Sequence, residues 1–389
     1  MKLVQNVNFS LIVTQVVFYT FGIWTPKCDG WKKRLFSFYS FVSFNFILGS
    51  YIIIQIGDLI QVWGNLSLMT GTIFLLLTNF SLSTKLLNTM WKQKEIQIML
   101  AKSNRELSNE NREMGKEIVK SCNRETIMQL SVFYTLSYMT VFGWAASAEK
   151  NELPLRAWYP YDTSKTPAYQ LTYAHQSIAV SMEATINVCL DTLVTSLICQ
   201  YRCQLRLLAL SLRTLCDGLE FDNMGRLTEN SNEIVSRRLG RCVVRHQTVL
   251  HQVNLLQKYF SIPILAQFTV SMGIICVSAY QLAFETTSLV RIISMVAYLM
   301  VMMLQVFLYC YQGNQLVMDS IGVSSAGFDF PWYACSIPIQ KSLLILMMRT
   351  KRVARLTAGG FTELSLATFM AIIKASYTFF TVLQQVVET

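Results

Sequence analysis

The chain has 389 residues, 52% of them hydrophobic and 14% charged, with 33 Lys and Arg against 23 Asp and Glu for a formal net charge of +10. So apolar a composition excludes a soluble α/β enzyme of this length and points to burial in a bilayer. The positive excess reads as membrane topology, so nucleic acid is not an expected partner.

A bilayer core takes about 20 mostly apolar residues per helix, and only helices or closed barrels satisfy their backbone groups there. No segment alternates in the manner of an outer-membrane barrel strand. The first 24 residues lack the clean apolar core of a cleavable signal, because Gln5, Asn6, Asn8 and Gln15 interrupt them; an interfacial or re-entrant helix is expected there. Seven candidate spans follow: Arg34–Leu59, Leu66–Trp91, Glu125–Ala148, Tyr173–Tyr201, Tyr259–Phe284, Val290–Gln312 and Phe361–Val387.

Lys and Arg are distributed unevenly about those spans. Five occur up to Arg34, nine in 85–124, nine in 202–258 and five in 314–360, whereas the alternate segments hold Lys150, Arg156, Lys165 and Arg291. Positive charge gathers in cytoplasmic loops, so the amino terminus is expected inside. The fold class is therefore an all-α membrane protein of seven transmembrane helices, amino terminus cytoplasmic, with a cytoplasmic helical platform. Its expected division is a cytoplasmic or interfacial segment (1–33), six helices with cytoplasmic extensions (34–312), a cytoplasmic anchor segment (313–360) and a last helix (361–389).

In chain order, Asn65-Leu66-Ser67 is a formal glycosylation sequon close to the membrane. The acidic and basic mixture of 102–125 reads as a solvated helix face. Glu183, Asn187 and Asp191 recur every four residues within the fourth span, and Lys374 lies at mid-depth in the last. Such groups must face protein or water, since exposing one to lipid costs about 2.5–3.5 kcal/mol on insertion scales. They either tie helices together or tune an ion or water path. Past the fourth span an apolar pattern continues through Leu205, Leu208 and Leu212, and before the fifth it resumes at Ile234, Val243, Leu250 and Val253. Both helices are expected to project well below the membrane and pack together. Ten cysteines contain no CxxC pair, so neither disulfides, zinc nor any cofactor is expected. Three histidines without HExxH spacing offer no enzyme constellation.

On the last span Ala371, Ala375, Thr378, Val382 and Gln385 share one face, with Phe369, Ile373, Tyr377, Phe380 and Val387 around the rest. Small residues there either allow close helix packing or line a narrow aqueous path.

Several motifs resemble the insect odorant receptor family. They are Phe330-Pro331-Trp332, Ile337-Pro338, Lys341, Leu356, Ala358-Gly359, Phe361, Phe369 and Lys374 to Phe380, together with Arg156 to Tyr161, Tyr169 and His175-Gln176 in the second outer loop. Gustatory receptors share the architecture but usually end in Thr-Tyr, five residues, then Gln-Phe; here Gln384 follows Tyr377 at another spacing with no Phe. The resemblance implies an odorant-binding subunit of a ligand-gated, non-selective cation channel in sensory-neuron plasma membrane. The implied partners are a co-receptor in a hetero-oligomer, a tetramer in the family, with membrane lipid, permeating cations and a small volatile organic ligand. The connection between the fourth and fifth spans lacks the extra length of co-receptors, which implies an odorant-tuned subunit.

The same resemblance implies pocket residues Phe74, Ser137, Thr140, Trp144, Met182, Ile186 and Tyr298, with Ser137, Thr140 and Trp144 at i, i+3 and i+7 on one helix face. It further implies a pore and gate of Thr378, Val382, Gln385 and Val386, and a subunit interface at Trp332 and Tyr333. A seven-helix metabotropic receptor would need the reverse topology. A transporter would show two related halves, and no such repeat is visible.

Overall fold

The computed structural model describes residues 8–26, 30–146, 153, 155–163, 165–285 and 288–388. Its helices, in order, are α1 (Phe9–Thr20), α2 (Trp31–Phe44), α3 (Ser50–Gln61), α4 (Leu66–Trp91), α5 (Gln93–Ser108), α6 (Glu113–Ala146), α7 (Ala168–Arg213), α8 (Glu229–Tyr280), α9 (Leu289–Ala326), α10 (Ile337–Thr350) and α11 (Leu366–Glu388). A π-helical turn, Asn45–Gly49, joins α2 to α3 without interrupting the rod. One two-stranded hairpin, β1 (Thr357–Ala358) with β2 (Thr362–Glu363), precedes α11.

Local chemistry sets several helix ends. Asn8 opens α1 by accepting from the Ser10 amide, and Thr228 does the same for α8 through the Ser231 amide. Asn65 caps α4 through its side-chain oxygen, so the sequon asparagine is already engaged with the Leu68 amide. Ser365 accepts from the Thr368 amide at 3.2 Å. The last helix therefore starts at Leu366, later than the Phe361 start expected from hydropathy, because 357–363 is folded into the hairpin.

Four helical stretches are long and apolar enough to cross a membrane by length and composition: Ala168–Arg213, Glu229–Phe284, Leu289–Ala326 and Leu366–Gln385. The three earlier expected spans also fall on helices: α2 and α3, α4, and α6, with Ser147 and Ala148 outside the described residues. At 1.5 Å per residue the 46 residues of α7 and 52 of α8 run to roughly 70 and 80 Å. A bilayer core is about 30 Å thick, so more than half of each lies outside it. There Leu205, Leu208 and Leu212 of α7 pack in one core with Val235, Leu239, Leu250 and Val253 of α8. This packing is driven by water, and each fully buried side chain contributes about 1.5–3 kcal/mol. Inside the bilayer that drive is absent, and shape and polar ties must hold the helices.

The membrane-distal part is completed by α5, whose face of Ile96, Met99, Leu100 and Leu107 is buried, and by α10, which buries Ile339, Leu343, Leu346 and Met347. α9 runs through Gln312 to Ala326 without a break, so the expected boundary between membrane helices and anchor segment is not a break in the chain's structure. Arg202, 1% exposed, joins three helices there: its guanidinium donates to Glu125 (2.7 Å), Gln312 (2.6 Å) and Asp319 (3.0 Å). His246, on the buried face of α8, is held below the ordinary imidazole pKa first by burial and then by Arg349.

α1 is wedged into the bundle. It buries Ser10, Leu11, Thr14, Gln15 and Phe18, a helical face, and the Ser10 hydroxyl lies 2.9 Å from that of Ser196 on α7. At the other end of the bundle the loop after α6 docks through the Trp158 amide on the Ile54 carbonyl (3.2 Å) and Arg156 on Asp58 (3.2 Å). Its Leu155 is buried among the side chains of the outer core. The hairpin clamps α8 beside Pro263: the Gly359 amide donates to the Ser261 carbonyl, and Gln257 brackets Thr357. Gly359 has φ +64°, a torsion that favours glycine, and a Cβ there would also have to push the end of the Leu265 side chain aside.

Candidate functional site

Four helices, α4, α6, α7 and α9, diverge enough to leave a cavity between them. Its volume, as the space open to the centres of water-sized spheres, is about 70 Å³. Leu75, Thr78, Asn79 and Leu82 come from α4, Ser137, Thr140, Val141 and Trp144 from α6, Val180, Glu183, Ala184 and Asn187 from α7, and Tyr298, Val301 and Met302 from α9. The i, i+3, i+4, i+7 recurrence on α4 and α6 is one helix face, so each rod contributes a stripe.

Three aromatic rings form one wall. Trp144 and Tyr298 lie 5.3 Å apart, and Phe74 packs behind them at 6.0 and 5.3 Å. The Tyr298 hydroxyl lies 2.6 Å from that of Thr78, and the Asn79 amide donates to Gln55 at 3.0 Å. Mostly apolar walls with a few placed polar groups suit a small organic ligand.

Of the residues singled out in the sequence, Ser137, Thr140, Trp144 and Tyr298 converge on this cavity, with Phe74 in contact from behind. Met182 and Ile186 do not line it. Ile186, 2% exposed, packs in the neighbouring core and borders a separate crevice with Leu48 and Leu86. The α7 face that reaches the cavity is one residue on, at Glu183 and Asn187, a helix rotation of about 100°. Thr78 and Asn79 were not singled out, although they sit four and five residues after Phe74.

Below the cavity the α7 polar stripe becomes a tie. Lys85 of α4 donates to Asn187 (2.6 Å) and Asp191 (2.8 and 3.1 Å), and is 5% exposed against 2% for Asp191. Asp191 also accepts from Tyr309 (2.8 Å) and Gln305 of α9. Gln305 in turn accepts from Gln267 of α8 (2.8 Å), which holds Ser271 and accepts from Ser81 of α4. Four helices are thus joined by one buried network. Lys85, counted from the sequence with the loop charges, is a bundle residue.

α11 is bound to the rest along one edge. Ile372 and Ser376 are buried, while Ala371, Lys374, Thr378, Val382 and Gln385 are exposed, and only 11% of its apolar stretch is buried. Thr378, Val382 and Gln385 share that outward face; the side chain of Val386 lies outside the described residues. On the membrane-distal part a second apolar surface is uncovered, with Trp332 39% and Tyr333 72% exposed beside Ile337, Leu344, Ile345 and Met348.

Long apolar helices tied by a buried polar network beside a mostly apolar cavity are the architecture of a multi-pass helical membrane protein. The 7tm Odorant receptor family model matches residues 65–377, and the chain belongs to that family of receptors, which are not enzymes. It is 26% identical over 341 residues to odorant receptor 46a, isoform A, of Drosophila melanogaster, covering 84% of this chain and 86% of the relative. It is 24% identical over 338 residues to odorant receptor Or1 of Anopheles gambiae, covering 81% of each. Its fold is similar to that of the insect olfactory receptor OR5 from Machilis hrabei, solved in complex with eugenol, with a TM-score of 0.76, 17% identity and 97% of both chains covered.

Proposed function

We propose that this chain is the odorant-tuned subunit of a ligand-gated, non-selective cation channel, formed with a co-receptor as a hetero-oligomer, a tetramer in the family's manner. The observation that carries the reading is α11: a membrane-length helix held along one edge, with Thr378, Val382 and Gln385 turned away from its own subunit. Copies of such a helix around a common axis would line a path in which Val382 and Val386 exclude water when closed and the Gln385 amide touches partly hydrated cations. The uncovered Trp332 and Tyr333 surface supplies the apolar area that a neighbouring subunit would bury.

A small volatile organic ligand would bind in the cavity against Trp144, Tyr298, Ser137 and Thr140, with Phe74 behind them. Met182 and Ile186 would act on it through packing. The uneven distribution of Lys and Arg supports a cytoplasmic amino terminus, with the platform on that side, and the family reading puts the chain in sensory-neuron plasma membrane. The 15 residues that separate α7 from α8 leave no room for a large insertion, which favours a tuned subunit over a co-receptor. Recording from cells that express the chain with and without a co-receptor, against a panel of volatile compounds, tests the whole reading. Odorant-evoked cation current that requires both chains is expected. A surface-expressed chain that adds no odorant response to the co-receptor overturns it.

A further inference from the structure

Among the described residues that line the cavity, Glu183 is the one acid. It is 8% exposed, and no hydrogen bond or ion pair to its carboxyl group occurs among the described residues; Oε1 is buried with no partner at all. The neighbouring polar side chains are engaged: Thr78 with Tyr298, Asn79 with Gln55, and Asn187 with Lys85. Lys85 cannot serve Glu183 as a counter-charge, because its ammonium is committed to Asp191 and Asn187. An acid buried without a partner is costly to a fold, and here it borders empty space.

The same cavity has complementary chemistry. Trp144 and Tyr298, with ring centroids 5.3 Å apart, line it, and the faces of such rings attract a cation through the ring quadrupole. A carboxyl group and aromatic rings lining one small, mostly apolar cavity match a small organic amine: the ammonium pairs with the acid, and the hydrocarbon body fills the space lined by Leu75, Val180 and Val301.

We propose that the preferred ligands of this cavity are small organic amines, with Glu183 as the group that receives the ammonium. The inference rests on the cavity being the odorant site of a channel subunit.

The test uses the full chain co-expressed with a co-receptor and three matched series: primary amines (butylamine, isopentylamine, 2-phenylethylamine), their alcohols (butanol, isopentanol, 2-phenylethanol) and their hydrocarbons (pentane, isohexane, propylbenzene). At least one amine should be about 10–100-fold more potent than its alcohol, the margin a charge-assisted hydrogen bond supplies. Glu183→Gln should remove that margin, lowering amine potency about 10-fold or more beyond any change for the matched alcohol, with surface labelling retained, while Glu183→Asp should keep part of the margin. If alcohols or hydrocarbons open the channel and no amine exceeds its alcohol, the amine inference fails and the channel reading stands. Equal loss of potency for amine and alcohol in Glu183→Gln would make Glu183 a structural residue and also overturn it. A chain that reaches the surface, yet adds no response to any of the compounds beyond that of the co-receptor alone, defeats both readings.

Discussion

Replacing Lys85 with Met tests whether the polar network holds the bundle together. The ammonium makes three contacts of 2.6–3.1 Å, to Asn187 and both oxygens of Asp191, in a site where the two charged side chains are 5% and 2% exposed. Met has nearly the same reach but no charge, so Asp191 would keep Tyr309 and Gln305 as donors and lose the Lys85 ammonium. Removing one partner of a buried pair costs about 3–5 kcal/mol because the remaining charge is uncompensated. That is a large share of the roughly 5–15 kcal/mol that keeps a typical protein folded. Adding Asp191→Leu removes the orphaned charge and leaves the Tyr309 and Gln305 donors and the Asn187 acceptor unsatisfied, at about 1–3 kcal/mol each. The double variant should therefore be less damaged than the sum of the singles by about 2 kcal/mol or more. Equilibrium unfolding of the four purified proteins in mixed SDS micelles gives both quantities. A Lys85→Met effect below about 0.5 kcal/mol, or strictly additive variants, would refute the assignment of stability to this pair.

Further outcomes follow from the same geometry. Trp144→Ala removes one ring of the aromatic wall, and odorant potency should shift by about 10-fold or more in a manner that depends on ligand size; currents evoked by a co-receptor agonist should stay intact, and equal loss for every agonist would indicate misfolding. Val382→Cys should make the current sensitive to thiol reagents applied from outside, and Gln385→Lys should depress cation conductance; unchanged conductance, selectivity and reagent sensitivity in surface-expressed channels would remove these residues from the pore. His246 is buried with its pKa below the ordinary value of about 6.5, so the unfolded chain takes up a proton at a higher pH than the folded one. Stability should accordingly be full above about pH 6.5 and fall as the pH drops below it, and His246→Gln should flatten that part of a melting-temperature profile.

The sequence by itself determined the membrane class, the helices and much of the cavity. Apolar length marks a helix without knowledge of its neighbours, and the continuing pattern through Leu208, Leu212 and Val253 disclosed that α7 and α8 extend beyond the bilayer. The spacing of Ser137, Thr140 and Trp144 marked a common face because helix geometry is local. Tertiary structure alone decided which way each rod is turned. The polar stripe of Glu183, Asn187 and Asp191 marks one face of the fourth span, but the stripe itself does not say whether that face meets a cavity or a neighbouring helix. Hence Met182 and Ile186 face the neighbouring core while Glu183 and Asn187, one residue on, face the space. Partners distant in the chain were equally hidden: Lys85 reads as a loop charge until Asp191, 106 residues later, comes within 2.8 Å of it. The hairpin before α11 escaped notice for a related reason, since its docking on Ser261 and Gln257 is a contact between segments about 100 residues apart, and no local periodicity records it.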